Sequence, residues 1–213
     1  MELMRIDLKK STLCTAVMVS LYAVYRFVTQ CFSWAGTPVM AGHPIRVQIV
    51  NDGIEMLVLL FVASFLLSVW THRRQLPAPS PKWVHGRNIL VFALAYVSVY
   101  QIQLVCHYPM YAYPVFTYLL WLCPLAYAGA LWLYLGQMDS GETYALSDSR
   151  ARLLSLTAIL LFVGIAAGVV LYALWYNDAT LWLDRWHHRI PMMIAIAGKI
   201  ALILFLCTGN KLK

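Results

Sequence analysis

The sequence predicts an all-α, polytopic membrane protein: one integral domain, residues 1–213, built as a bundle of about six transmembrane helices with both termini cytoplasmic. Three observations carry this. The chain is 62% hydrophobic and 12% charged, against about 25% charged residues in a soluble domain, and its mean hydropathy is +0.69. Six apolar segments, residues 12–34, 49–70, 88–106, 115–136, 153–175 and 191–208, meet or approach the length of about 20 residues that a span requires. The basic residues favour every second connection between them.

Each segment is expected to be a helix, because a chain in lipid must satisfy its own backbone hydrogen bonds. The alternating pattern of about ten residues that marks a membrane barrel is absent. Orientation follows from Lys and Arg. One side collects Arg5, Lys9 and Lys10, then Arg73, Arg74, Lys82 and Arg87, then Arg150 and Arg152, and finally Lys211 and Lys213. The other side has Arg46, Arg185 and Arg189. The richer side is the cytoplasmic one. The formal charge of +7 is thus spread over short loops, which excludes the basic face of a nucleic-acid-binding module.

In order, the first apolar run from Thr12 exceeds the roughly 7–15 residues of a signal-peptide core and reads as a retained span. Residues 35–48 read as a turn-rich outer loop. Residues 71–87, with QLPAPSP, should be extended and exposed, since proline denies them a helix. Residues 107–114 form a tyrosine-rich outer turn. Ser147 is placed to cap the fifth helix, with Asp148 favourable near its positive end. Pro124 should kink the fourth helix, and Pro191 should open the sixth in its first turn. Gly164 and Gly168 form a small-xxx-small stripe, suited to close packing within the chain or to a homo-oligomer seam.

From about Tyr96 to Leu206 the chain resembles a bacterial family of small four-helix membrane proteins of unknown function. The residues that carry this are the outer turn Tyr108-Pro-Met-Tyr-Ala-Tyr113, the inner turn with Gly141 and Tyr144-Ala-Leu-Ser147-Asp148, and the order of the last four spans. Leu146 stands where that family prefers an aromatic residue, and the first two helices are additional. The resemblance implies a multi-pass protein of the bacterial inner membrane and transfers no catalytic residue.

Charge within the spans is the sharpest chemical signal. At about 1.5 Å per residue, Arg26, Glu55 and Lys199 fall roughly 9–12 Å below the outer surface on three different helices. Asp52 lies one turn from Glu55 on the same helix face, and Gln101 and Gln103 come near the same layer. Charge in lipid usually pairs or lines a cavity. The layer therefore reads either as an ion-paired knot that fixes helix order or as a cavity for an ion, proton or polar ligand.

His43, His107, His187 and His188 fall at the outer face beside Cys31 and Cys106, but no i,i+4 pair exists, and they read as surface residues rather than metal ligands. The five cysteines contain no C-x-x-C pair. No G-x-S-x-G, H-E-x-x-H or Gly-rich phosphate loop is present. The expectation is a protein without cofactor, metal or catalysis, in contact with membrane lipids. One reading is a partner-binding protein, such as an immunity factor against a membrane-targeting toxin or a defence component, using Tyr108, Tyr111, Tyr113, Trp182 and Trp186 as an outer contact surface. The other is a small channel or transporter using the charged layer.

Overall fold

The computed structural model describes residues 7–34, 44–106, 122–139, 141–175 and 186–208. Among them are six helices and one minimal ladder: α1 (Leu8–Trp34), α2 (Pro44–Thr71), β1 (Leu76–Pro77), α3 (Pro81–Val105), α4 (Leu122–Gln137), β2 (Thr143–Tyr144), α5 (Asp148–Trp175) and α6 (Trp186–Cys207). Four of these, α1, α2, α5 and α6, hold stretches long and apolar enough to cross a membrane. In α3 the apolar run is diluted by Arg87, Asn88, Gln101 and Gln103, and 16 residues of α4 are described.

Several helices begin a turn or more before their apolar run, where a polar side chain can take up free amides. Asp7 caps α1: its carboxylate accepts from the Lys9 amide at 3.0 Å and its carbonyl from the Ser11 amide at 2.9 Å. Ser80 caps α3 by accepting from the Trp83 amide at 3.2 Å. Pro81 follows at the first helical position, where its missing N–H costs nothing. Residues 81–87 are therefore helical and not part of an exposed loop. At α5 the Ser147 carbonyl accepts the first helical bond, from Ala151 at 2.9 Å, while its hydroxyl meets that of Ser149 at 3.2 Å rather than an amide. Pro191 lies inside α6, because that helix already starts at Trp186.

Each helix packs against two others, and the contacts close into a ring: α1, α2, α5, α6, α3, α4 and back to α1. One end of the ring is tied by polar contacts. Lys9 pairs with Asp139 at 2.7 Å, and the Ser80 amide donates to Gln137 Oε1 at 3.3 Å. The Leu146 amide donates to the Arg73 carbonyl at 2.7 Å, and the Arg150 guanidinium lies 5.1 Å from the Phe205 ring centre. The starts of α1, α3 and α5 and the ends of α2, α4 and α6 thus share one end, and ring neighbours run antiparallel.

That end is sealed by a segment expected to be exposed. Leu76 pairs with Tyr144 and Pro77 with Thr143 in an antiparallel ladder, and Leu76 is only 1% exposed. The ladder satisfies backbone groups that proline would otherwise leave in solvent, so the apolar residue can turn inward. Gly141 holds the approach to β2 with φ of 74°, a left-handed conformation that suits glycine.

The core is aliphatic, and its buried threonines are satisfied locally. Thr12, Thr15 and Thr157, all at most 1% exposed, donate to carbonyls four residues back at 2.7–2.8 Å. Thr15 also reaches the Phe61 carbonyl of α2 at 3.1 Å, and Trp132 Nε1 donates to Ser20 Oγ at 3.1 Å, joining α4 to α1. Small residues set the closest approaches. A side chain at Gly86 would meet Leu133 Cδ1 at 2.5 Å, so α3 and α4 touch there. Gly164 faces Ile194 of α6 and Gly168 faces Met56 of α2, so the stripe on α5 packs within the chain. The outside of the ring is apolar, with Phe92 and Leu21 among its exposed residues. Such a surface fits lipid and not water.

Candidate functional site

Two cavities lie along the axis of the ring. The wider one has a volume of about 290 Å³ and is lined from all six helices. Tyr22 and Arg26 come from α1, Glu55 from α2, and Tyr100 and Gln101 from α3. Cys123 and Tyr127 come from α4, Leu161 from α5 and Lys199 from α6. Lys199 donates to Gln101 Oε1 at 2.8 Å. Tyr22 lies close enough to Glu55 and Arg26 to interact with both charges, and Lys199 interacts with Glu55.

Among the described residues Arg26, Glu55 and Lys199 form no ion pair with one another. Among the described residues the only ion pair within 4 Å is Lys9–Asp139, at the other end of the ring. Arg26 and Lys199 are half-buried and Glu55 is exposed. Charges held apart in this way are least costly where water or a polar group reaches them.

The structure therefore brings Arg26, Glu55, Gln101 and Lys199 around one space. Gln103 is not among its lining residues; its Oε1 is buried with no hydrogen-bond partner among the described residues. Asp52 lies on α2 and Trp186 on α6, with side chains outside the described residues. Tyr108, Tyr111, Tyr113 and Trp182 also lie outside them, as do His43, His107 and the side chains of His187 and His188. No group of three His, Cys, Asp or Glu side chains able to hold a metal occurs among the described residues.

Sequence reasoning missed Tyr22 and Cys123. The spacing held a signal for the first: Tyr22 lies four residues before Arg26, hence on the same face of α1. For Cys123 no signal exists, because its position depends on α4 packing between α1 and α3.

The second, inner cavity, of about 80 Å³, lies towards the sealed end. It is lined by Arg87, Tyr134, Tyr144 and Arg150 within apolar walls, and the strands close it through Leu76 and Pro77. Tyr127 and Leu202 line both cavities, with Val62, Leu94 and Leu161 on the wide side and Leu66, Leu131 and Leu154 on the narrow one. An apolar partition thus separates the two. No family model matches this chain, and no curated protein or solved structure is significantly similar to it.

Proposed function

We propose that this protein crosses the membrane six times with both ends on the basic, cytoplasmic side, and that its ring of helices works as a small channel or transporter for an ion or small polar solute. The observation that carries this reading is the wide cavity: every helix contributes to it, and Arg26, Glu55 and Lys199 face it without pairing with one another. A structural knot would bring these charges into contact. A solute site leaves them apart, so that the ligand completes their coordination. The partition at Tyr127 and Leu202 supports gating, since an apolar constriction blocks ions by excluding water until it widens. The antiparallel ring, with the more basic connections at one end, supports an even number of crossings.

Reconstituted into vesicles, the full chain is expected to raise the flux of potassium, chloride or protons by about tenfold or more over protein-free vesicles, on the scale by which a charged cavity concentrates ions. Ion-selective electrodes and an entrapped pH dye provide the readout. Vesicles that stay tight to all three would remove the channel reading and leave a protein that acts by binding a partner.

A further inference from the structure

The inner cavity has a chemistry of its own. Two cationic side chains face it from different helices, Arg87 of α3 and Arg150 of α5, and no carboxylate lines it. The acids nearest in sequence, Glu142 and Asp148, are exposed. Arg150 interacts with the Tyr144 hydroxyl and stacks over Phe205. Two donors of its lining residues are unmatched: Arg87 Nε and the Tyr134 hydroxyl are buried and have no partner among the described residues, while Arg87 Nη2 donates to Asn88 Oδ1 at 3.4 Å. Tyr134 cannot swing away to find one. Its ring is held between Phe65, edge-on at 5.8 Å, and Trp83 at 5.2 Å.

A guanidinium can only donate, and its planar fork matches two oxygens of one group. Burial holds the Tyr144 phenol above its ordinary range, against the opposing pull of Arg150 and Arg87, so Tyr144 stays a neutral hydroxyl. A volume of about 80 Å³ is several times the roughly 10–15 Å³ one water needs and suits one oxyanion group. The apolar walls, Phe65, Leu90, Leu154 and Phe205 among them, suit a short hydrocarbon portion attached to it.

We propose that this cavity binds an oxyanion, a phosphate or phosphomonoester, held by Arg87 and Arg150 with the Tyr134 hydroxyl as a further donor. A lipid headgroup and a soluble phosphate share that chemistry.

The purified full chain in neutral detergent tests this. Inorganic phosphate is titrated by calorimetry, and phosphatidic acid and phosphatidylcholine are offered in native mass spectrometry. Saturable binding of phosphate identifies a soluble ligand and selective retention of phosphatidic acid a lipid one; either supports the site. Arg87→Gln should weaken that binding by about tenfold or more, as expected when a bidentate charged contact is lost. Arg74→Gln, which removes the same charge from an exposed position, should change it by less than about twofold. Tyr134→Phe keeps the ring packing and should weaken binding severalfold, so the test holds even if Arg87→Gln does not fold. The proposal is overturned if neither probe saturates, if both arginine variants lose affinity equally, or if Tyr134→Phe leaves anion affinity unchanged, as it would in a cavity that holds only water.

Discussion

Lys199→Met is expected to abolish solute movement while leaving the bundle folded. Lys199 reaches the wide cavity from α6 and donates to Gln101, so the variant loses one charge-assisted hydrogen bond, worth about 1.5–3 kcal/mol at most. It strands no charged partner, because no carboxylate lies within 4 Å of the ammonium among the described residues. Glu55→Gln should behave likewise: near-normal folded yield and a loss of flux of about tenfold or more, as the cavity loses the carboxylate that offsets part of its positive charge. An ion-paired layer predicts something different. Breaking a buried pair costs roughly 3–5 kcal/mol, and removing the second partner restores much of it. In that case Glu55→Gln would reduce folded yield and Glu55→Gln with Lys199→Met would recover it. Size-exclusion profiles and thermal melts of the two single variants and the double variant, measured beside vesicle flux, separate the two cases.

Leu76→Ala is expected to be the most destabilising single truncation outside the helices. Leu76 is 1% exposed and lines the inner cavity, and the two-residue ladder can do little to refill the space. A loss of about 2–5 kcal/mol follows from a buried Leu→Ala change of this kind. Leu21→Ala on the outside of α1, where the side chain is 60% exposed, should cost less than about 1 kcal/mol, since lipid or detergent fills the gap. Thermal unfolding of both variants in one detergent gives the comparison. Equal shifts would mean that the strands do not seal the ring.

How much of this the sequence revealed depends on what each feature needs. Apolar segments are visible because lipid demands long runs, and each of the six helices covers all or part of one of them. Helix starts were less visible. Hydropathy marks where lipid begins, whereas α1 and α3 begin at their caps, Asp7 and Ser80, a turn or two earlier. That Arg26, Glu55 and Lys199 share one level of the bundle was legible because helical rise turns residue number into height. Their grouping was not derivable from one chain, because it depends on a ring order that sets α1 beside α4 and α3 beside α6. Helices such as α2 and α5 are apolar almost all round, so no stripe shows which face turns inward.

The inner cavity was hidden for a related reason. Arg87 and Arg150 look like loop charges that set orientation, and only the early starts of α3 and α5 carry them into the wall. The burial of Leu76 and Pro77 was hidden by proline content, which argues for an extended chain but does not say what that chain covers.

Cys123 gives the most direct measurement of the central claim, that the ring encloses a water-accessible charged cavity. It is a free cysteine that lines that space with Glu55 and Lys199. With the other four cysteines replaced by alanine, the protein in sealed membranes should react at Cys123 with a small, charged, membrane-impermeant methanethiosulfonate, and Lys199→Met should change the preference between cationic and anionic reagents. A Cys123 that stays inert to both reagents, yet is alkylated once the protein is unfolded, would contradict the account.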